Sequence, residues 1–351
     1  MAAVLQAFRA IREREEYERA RRRERVFRDR NHPLDVYNDE DIFRKYRFTR
    51  EGCIRIIDMV GDSLQHDTRR NHALSPSQQI FVALNFFATG AVIDTTSTVH
   101  GITRSTASRV IHRVSNTLAT LKDEVIKFPR TMEEVREAQV AFFEISGFPQ
   151  VVGVVDGTHV RLNGAPLGER EYAYVNRKHF HSINVQIVCA ANYKIIDLVA
   201  RWPGSSHDSR ILQNSVLGRC FEGLKLHGLL LGDSGYALRP WIMTPVLNPT
   251  TPAENAYNRA HASTRVIIEQ VNGQLKHKFR CLLHGMQMTP KRAGRVVTAC
   301  AILHNLSKTW RQPEVDGELD DAHHVPVDPP VGGNPHTGLA IRTAIIANYF
   351  N

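Results

Sequence analysis

The pattern of apolar residues changes at Val151, and this change limits the folds that the chain can adopt. Before it, apolar residues recur at helical intervals up to about residue 147. After it come three β-rich apolar runs separated by turn residues, VVGVVDGTHVRL, INVQIVCA and KIIDLVARWPG. Runs of this length and composition favour β-strands, and three in succession favour a meander. The chain is therefore predicted to be an α+β protein in which a helical N-terminal region precedes a sheet.

The segment after the meander continues the sheet and then returns to helix. SSHDSRILQNS offers an N-cap serine and a short helix, and LLLGDSGY has the continuous apolar run of a central strand. A loop rich in Pro, Thr and Asn follows, and an amphipathic helix is predicted to begin near Ser263. A further helix is predicted over KRAGRVVTACAILHNLSKTW. Residues 312–337 are rich in Pro, Gly and Asp, which indicates a mobile linker before a final short helix, GLAIRTAIIANYFN.

The helical region contains a candidate helix-turn-helix. One helix is predicted from the N-cap Ser75 to Gly90, followed by a short helix ending near Val99, a turn at Gly101 and a longer helix from Ser105. An ordinary helical hairpin with a polar outer face is an equally good interpretation. If the motif binds DNA, the exposed residues suited to phosphates or base edges are Arg104, Thr106, Ser108, Arg109, His112 and Arg113.

The charge balance favours an anionic partner. Lys and Arg outnumber Asp and Glu by 45 to 36, which gives a net charge of +9 and a pI near 9.5. An Arg-rich run from Arg9 to Arg30 predicts a solvated helix or tail, with a nuclear-import signal or a DNA-tracking arm as the functional interpretation.

Other classes of protein are disfavoured by composition. The five cysteines are widely spaced and form no Cys-x-x-Cys pair, so the sequence indicates neither a disulfide framework nor a zinc ribbon. The first residues lack the apolar core of a secretory signal, and no stretch approaches the ~18 apolar residues of a membrane span. We therefore expect a soluble, intracellular protein that does not associate with membranes.

Three acids lie in segments where packing does not require an acid. Asp156 interrupts the apolar run VVGVV, Asp233 ends the apolar run LLLG, and Glu269 lies among apolar residues of the predicted long helix. A carboxylate is costly to bury unless a cation or a hydrogen-bond network meets it. A turn or a surface ion pair would explain any one of these acids, but the three together favour a shared site.

The long helix presents Glu269 beside positive charge. Its core stripe is predicted to be Ile268, Val271, Leu275 and Phe279, and another face carries Arg265, Glu269, Gly273, Lys276 and Arg280. Two strand carboxylates and one helix carboxylate suit a hard divalent cation such as Mg²⁺ or Mn²⁺, because oxygen is the ligand that these ions prefer. Metal ions held in this way assist phosphodiester cleavage, so the pattern predicts a nuclease.

The order of elements and several sequence blocks resemble those of a known family. Three strands, a helix, a fourth strand and a late helix resemble the RNase H-like fold of DDE transposases and integrases. The blocks resemble the PIF/Harbinger transposase superfamily and the Harbinger transposase-derived nucleases of vertebrates. The resemblance covers about residues 70–310 and is carried by GVVDGTHV, YVNRKHFHSINVQIVC, WPGSSHDSRIL, LLGDSGY, TPAENAYNRAHASTRVIIEQVNGQLKHKFRCL and ACAILHN.

The resemblance implies a catalytic trio of Asp156, Asp233 and Glu269, with 35 residues between the last two. Asp208 also matches a family block and is expected to act as a fourth, auxiliary metal ligand, although it is the alternative to Asp233 as the second essential carboxylate. Arg177, Lys178 and Lys276 are expected DNA contacts. Lower-ranked phosphate contacts are His159, His179, His181 and His207.

The resemblance also implies a substrate and partners. We expect divalent-metal-dependent cleavage and strand transfer at transposon ends, with water or a DNA 3′ hydroxyl as nucleophile. DNA would be bound both as transposon terminal sequences and as target. A Myb-like DNA-binding partner protein, a homodimer or larger assembly, and a nuclear location with a cytoplasmic pool in the absence of the partner are expected.

Four regions are predicted along the chain: a basic segment at 1–35, a helical region at 36–147 with the helix-turn-helix at about 75–121, an RNase H-like nuclease domain at 148–311, and a linker with a C-terminal helix at 312–351. Two alternatives remain open, namely a catalytically silent DNA-binding or scaffold protein and an RNA-directed nuclease on the same fold. Gly-Asp-Ser-Gly at 232–235 resembles a serine-protease nucleophile loop, but the accompanying His and Asp blocks of those enzymes are missing from the sequence.

Overall fold

The fold is taken from a computed structural model, which describes residues 6, 10–14, 32–65, 73–164, 167–315 and 335–351. The predicted Arg-rich run from Arg9 to Arg30 therefore lies outside the described residues, apart from the helical residues 10–14. Of the predicted basic segment 1–35, residues 6 and 32–35 are described as well. Most of the predicted linker, residues 316–334, lies outside them as well. No helix within these described ranges has the length and apolar character that a bilayer crossing requires.

The N-terminal half is helical, as predicted. The helix from Ser75 is fixed by a capping box between Ser75 and Gln78, by Pro76 in its first turn, and by Gly90, whose φ of 62° ends it in the left-handed conformation. The next two helices end at Val99 and begin at Arg104, within one residue of the prediction. The helices of this half are α1 (Pro33–Val36), α2 (Asp39–Tyr46), α3 (Arg50–Val60), α4 (Pro76–Thr89), α5 (Ile93–Val99), α6 (Arg104–Ala119), α7 (Lys122–Val125) and α8 (Met132–Ser146).

A five-stranded mixed sheet follows in the order β3-β2-β1-β4-β5. Strands β1 and β2, and β2 and β3, pair antiparallel, whereas β4 is parallel to both β1 and β5. This confirms the predicted α+β class and the RNase H-like arrangement. The strands are β1 (Val151–Arg161), β2 (Ser182–Cys189), β3 (Ile195–Pro203), β4 (Leu229–Leu231) and β5 (Ile242–Met243).

Seven helices accompany these strands: α9 (Glu171–Tyr174), α10 (Asp208–Gln213), α11 (Val216–Glu222), α12 (Pro252–Lys278), α13 (Cys281–His284), α14 (Pro290–Thr309) and α15 (Pro335–Tyr349). The predicted start of the long helix near Ser263 is wrong, because α12 begins at Pro252. A capping box between Thr251 and Glu254 starts it there, with Pro252 in the first turn. The high content of Pro, Thr and Asn had suggested a loop in this segment.

Helix α14 connects the helical half with the sheet. It packs against both β3 and α6. A Cβ atom at Gly294 would overlap the carbonyl oxygen of Ala200 in β3, so glycine permits this close approach. Buried side chains from the helical half, from one face of the sheet and from α15 form one continuous hydrophobic cluster. The candidate helix-turn-helix is thus attached to the sheet through a shared core.

Candidate active site

Two carboxylates of the candidate site lie on or next to the central strands of the sheet. Asp156 is in the middle of β1, and Asp233 follows the end of β4, which is parallel to β1. Val154 pairs with Leu231 in this register. Asp156 and Asp233 each lie two residues beyond that pair. Their Cα atoms are therefore at the same level along two neighbouring segments of the chain.

Asp208 approaches the same place from the other side of β1. It is the first residue of α10, and its carboxylate occupies the space where a Cβ atom of Gly157 would be. Asn184 of β2 donates a hydrogen bond of 2.7 Å from Nδ2 to Oδ1 of Asp208, and another of 2.8 Å to the carbonyl oxygen of Ser206. The sheet therefore holds the Asp208 carboxylate next to the residue that follows Asp156.

Helix α12 supplies two groups that contact Asp156. Asn272 donates a hydrogen bond of 3.0 Å to Oδ2, and the Arg265 guanidinium lies 3.4 Å from Oδ1. The side chains of Arg265 and Asp156 retain only 14% and 21% of their exposure. Asp156 is therefore largely buried between the sheet and α12.

Burial and neighbouring charge raise the pKa values of two of the aspartates. The pKa of Asp156 is raised to about 7, first by burial and then by the charges of Asp233, Asp208 and Glu269, whereas Arg265 opposes the rise. Burial and the charge of Asp233 also raise the pKa of Asp208, whereas the hydrogen bond from Asn184 lowers it. The three aspartates thus form one interacting cluster with insufficient positive charge inside it to keep Asp156 fully ionised at neutral pH.

Glu269 lies at the edge of this cluster. It is exposed, on the face of α12 that also carries Arg265 and Asn272, and it is the most weakly acting of the charges that raise the pKa of Asp156. Within the part of the chain that the structure describes, no three His, Cys, Asp or Glu side chains gather closely enough to form a metal-binding group. Closing the site around a cation would therefore require a small movement of these side chains.

The donor atoms of the cluster fit a hard divalent cation. Asp208 and Asp233 lie close enough to Asp156 for their charges to raise its pKa, and burial of charge here has a cost that a cation would relieve. Among the described residues, the hydroxyl of Tyr236 and Oδ1 of Asn184 are buried without a hydrogen-bond partner. Burial and then the charges of the same three carboxylates raise the pKa of Tyr236, which is consistent with a position near the cluster.

A basic rim lies beside the carboxylates. His159 lies three residues beyond Asp156 on β1. Burial and the charges of Lys276, Lys178 and Arg177 lower its pKa to about 4, so these three cations lie near His159. Burial lowers the pKa of Lys276, and the charge of Asp156 opposes this change. The residues predicted to contact DNA near the site, Arg177, Lys178 and Lys276, are therefore together at its edge.

The other predicted phosphate contacts near the site have partners within the chain. Nδ1 of His159 lies 3.0 Å from Oγ of Ser182, and His181 lies 2.9 Å from a carboxylate oxygen of Glu171. Nδ1 of His207 accepts a hydrogen bond of 2.8 Å from Arg177. His179 is exposed at a φ of 58° in the turn between α9 and β2.

The predicted helix-turn-helix contacts lie on α6, which packs against α14. Arg104 and Arg109 are exposed, and Ser108 lines a cavity between α6 and α14. The hydroxyl of Thr106 lies 2.9 Å from that of Thr103, the N-cap of α6. Arg113 donates a hydrogen bond of 2.7 Å to the carbonyl oxygen of Gln65. This group is thus separate in the sequence from the basic rim and belongs to another element.

Sequence reasoning missed three residues of the cluster. Asn184 is a buried polar residue within the apolar run INVQIV, Asn272 lies three residues after Glu269, and Tyr236 follows Gly-Asp-Ser-Gly. A buried Asn in a central strand and an Asn one helical turn from an acid were signals in the sequence. The place of Tyr236 could not be found in this way, because it depends on the turn after β4.

Comparison with known protein families identifies the class of protein to which the chain belongs. The family described as "DDE superfamily endonuclease" matches residues 155–305, a range that begins just before Asp156 and includes every acid of the cluster. The chain therefore contains a DDE superfamily endonuclease domain, and its sheet order is consistent with that class.

Curated relatives then define the family. The chain is 37% identical to "Putative nuclease HARBI1" of Bos taurus over 80% of its own length and 82% of that protein, and 36% identical to the Homo sapiens protein of the same name over 80% and 82%. "Protein ALP1-like" of Arabidopsis thaliana is 24% identical over 81% of the chain and 74% of that protein. The chain belongs to the HARBI1 family of Harbinger-derived nucleases. No solved structure matches it significantly.

Proposed function

We propose that the chain cleaves DNA phosphodiesters in a reaction that requires Mg²⁺ or Mn²⁺, with Asp156, Asp233 and Glu269 as the catalytic trio. The observation that carries this proposal is the cluster of Asp156, Asp208 and Asp233. Burial and their mutual charges raise the pKa of Asp156 to about 7 and also raise the pKa of Asp208. A divalent cation is the partner that such a cluster of oxygens binds best. Asp208 has the auxiliary role, because it reaches the cluster from outside the β1–β4 pair.

The chain's own residues have distinct parts in this reaction. Asp156, Asp208, Asp233 and Glu269 would hold the metal, which when bound supplies Lewis acidity for phosphodiester cleavage. Asn272 and Arg265 orient the Asp156 carboxylate, and Asn184 orients that of Asp208.

The basic rim would bind the substrate. Arg177, Lys178 and Lys276 are arranged beside the carboxylates, where they would bind the phosphates on either side of the scissile bond. Their positive charge also offsets the repulsion between the DNA and the carboxylate cluster.

The family suggests finer features of the activity. We propose strand transfer at transposon ends with a DNA 3′ hydroxyl as nucleophile, after cleavage in which water is the nucleophile. We also propose a dimer or larger assembly, a Myb-like partner that helps to recognise DNA, and a nuclear location with a cytoplasmic pool when that partner is absent. The net charge of +9 supports binding to DNA but does not select among these features.

The experiment that tests the proposal is cleavage of linear duplex DNA carrying terminal inverted repeats, with Mg²⁺, with Mn²⁺ or with EDTA. The wild type, with and without a Myb-like partner, is compared with Asp156→Asn, Asp208→Asn, Asp233→Asn and Glu269→Gln. We expect the wild type to cut, Asp208→Asn to retain partial activity, and the other three variants to be inactive. Loss of activity in Asp208→Asn together with retention in Asp233→Asn would mean that Asp208 is the second essential carboxylate.

A catalytically silent DNA-binding protein is the second candidate. Arg265 already pairs with Asp156, and the acids in the described ranges do not form a compact metal-binding group. Calorimetric titration with Mn²⁺ distinguishes the two candidates, because the nuclease must bind the metal and lose that binding in Asp156→Asn. DNA binding without detectable Mn²⁺ binding or cleavage would favour the silent protein.

A further inference from the structure

A second basic surface lies away from the carboxylate cluster, at the beginning of α14. Lys291, Arg292 and Arg295 are exposed, and the first turn of this helix contains no acid. Their spacing of one, three and four residues places them on one side of the helix. They therefore form a compact group of three cations.

This group faces the candidate recognition helix. Helices α14 and α6 pack against each other, and His112 of α6 and Arg292 of α14 line the same cavity. Burial and the charges of Arg292, Arg295 and Lys291, in that order, lower the pKa of His112. Every charge that acts on His112 in this way is positive, so its surroundings are cationic on the α14 side.

The imidazole of His112 is also incompletely bonded. Its Nε2 lies 3.2 Å from Nδ2 of Asn116, whereas its Nδ1 is buried without a partner among the described residues. The amide of Asn116 is able to donate to Nε2, which leaves the proton on Nδ1. Because Nδ1 is buried, it is not itself available to a ligand, and the three exposed cations of α14 are the groups that would bind an anion here.

A cavity of about 200 Å³ is lined by residues of both helices. Its lining is mainly apolar and also includes Arg292 and His112. A nucleic-acid backbone has both anionic phosphates and apolar deoxyribose edges, so it matches the two parts of this surface. The residues that line the cavity include Ile93, Ser108, Ile111, His112, Met288 and Arg292.

The position of the surface connects it with the candidate active site. Met286, four residues before α14, donates a backbone hydrogen bond of 3.0 Å to Arg161 and accepts one of 3.0 Å from Asn163, so it extends the end of β1. About 17 Å of strand separate Asp156 from this end, at roughly 3.3 Å per residue. This length corresponds to about five base pairs at 3.4 Å each. One duplex is therefore long enough to contact both places.

We propose that α6 and the first turns of α14 form one surface for duplex DNA, in which Lys291, Arg292 and Arg295 bind backbone phosphates next to Arg104 and Arg109. We call the three α14 residues the basic ridge. The inference rests on the proposed function only in taking DNA as the ligand. It assigns DNA contacts to a helix of the nuclease region that neither the predicted motif nor the basic rim includes.

The test measures binding of a labelled 30-base-pair duplex by fluorescence anisotropy in EDTA between 50 and 300 mM salt. The full-length wild type is compared with Lys291→Ala/Arg292→Ala/Arg295→Ala. A control of equal charge change is Lys127→Ala/Arg130→Ala/Arg136→Ala, whose residues are exposed on α8 and before it. Thermal melting followed by circular dichroism checks that all three proteins are equally folded.

We expect the ridge variant to lose at least about tenfold in affinity near 0.1 M salt, and its slope of log K against log salt to fall by about 2–3. The control should change by much less. Equal losses in the two variants, or no binding of the duplex by the wild type, would overturn the proposal.

A competition with poly-L-glutamate tests the alternative of an acidic protein ligand. We expect the duplex to compete far better than the polypeptide at equal charge concentration. If only poly-L-glutamate binding depends on the ridge, the surface serves an acidic protein and the proposal is wrong. The binding assay contains EDTA, which prevents cleavage, so its result does not depend on nuclease activity. If the protein binds DNA through the ridge but does not cut DNA with Mg²⁺ or Mn²⁺, only the nuclease proposal is contradicted.

Discussion

The carboxylate of Asp208 lies directly against the backbone of Gly157, in the space that a Cβ atom at position 157 would occupy. Gly157 immediately follows Asp156 on β1. The absence of a side chain at this position therefore allows a carboxylate from α10 to lie against the backbone of the central strand. An Asp-Gly pair often marks a turn, but here it lies within a strand. The glycine leaves room for the Asp208 carboxylate.

The substitution Gly157→Ala should displace the Asp208 carboxylate from the central strand. Its methyl group would displace Asp208, because both oxygen atoms of that carboxylate lie too close to the new atom. We expect Mn²⁺ affinity and DNA cleavage to fall by about 10–100-fold, the range typical when the support of a metal ligand is lost. Isothermal titration with Mn²⁺ and single-turnover cleavage would measure the two effects.

A matched control is Gly223→Ala, since the nearest atom to a Cβ there is the carbonyl oxygen of Arg219 at 3.3 Å. The control should leave metal binding unchanged. If Gly157→Ala binds Mn²⁺ as the wild type does, Asp208 has no part in holding the metal.

The substitution Asn305→Ala should destabilise the joint between α14 and the sheet. The buried Asn305 side chain accepts a hydrogen bond of 2.8 Å from the amide of Ile195, donates one of 2.7 Å to its carbonyl, and donates another of 3.2 Å to the carbonyl of Val125. Removal of the amide leaves buried backbone groups of β3 and α7 unpaired, which costs about 2–4 kcal/mol.

Urea denaturation of the full chain measures this loss. The control is Asn192→Ala, which removes a hydrogen bond of 3.2 Å to Lys194 in the turn before β3. An equal, small effect of both substitutions would contradict the role of Asn305. A large effect would explain in physical terms why the block ACAILHN contains an asparagine within an apolar helix.

The sequence predicted the elements with a strong local signal. Apolar runs bounded by turn residues gave four strands, and Ser75 with Gly90 gave both ends of α4. Strand β5 was missed, because it has only two residues, Ile242 and Met243, and exists through its pairing with β4. The early start of α12 was missed because the cap at Thr251 lies in a segment with loop composition.

The site was predictable in its acids but not in their surroundings. Asp156 and Asp233 are conspicuous as charges in apolar runs, whereas the contacts of Asn184, Asn272 and Tyr236 depend on tertiary packing. The catalytic roles of Asp156, Asp233 and Glu269 and the four region boundaries stay predictions. Glu269 in particular is exposed at the edge of the cluster, a position that the helical spacing alone did not give.

The stability of the metal-free protein should depend on pH through Asp156. Its pKa is about 7 in the folded chain, against an ordinary value of 3.8. Between these values the folded state retains a proton that the unfolded state has released, so stability decreases as the pH rises from about 4 to about 7. Asp156→Asn has no titratable carboxyl group at this position, so its stability should not decrease through this ionisation.

The measurement is the melting temperature in EDTA from pH 5 to pH 8. The difference between Asp156→Asn and the wild type should shift in favour of the variant as the pH rises, by an amount on the order of 2–5 °C. Comparing the two pH values removes the constant cost of leaving Arg265 without its ion pair. A difference that does not change with pH would show that Asp156 is ionised in the folded protein throughout this range.

Arg265 should set the pH at which the enzyme becomes active. Its guanidinium, 3.4 Å from Oδ1 of Asp156, is the charge that most strongly lowers the pKa of this carboxyl group. In Arg265→Met the pKa of Asp156 should therefore rise above about 7, because the effects of burial and of the three neighbouring acids are then less opposed. If ionised Asp156 is needed to hold the metal, the rising limb of cleavage rate against pH must shift to higher pH.

Single-turnover cleavage from pH 6 to pH 9.5 measures this shift, and Mn²⁺ titration over the same range follows the same ionisation without DNA. Arg265→Lys is the matched variant, because it keeps the charge and should restore most of the profile, whereas a role in packing alone would leave it as impaired as Arg265→Met. Arg259→Met controls for the loss of a cation elsewhere on α12. A uniform decrease at every pH, with no change in the midpoint, would mean that Arg265 acts on the DNA and not through Asp156.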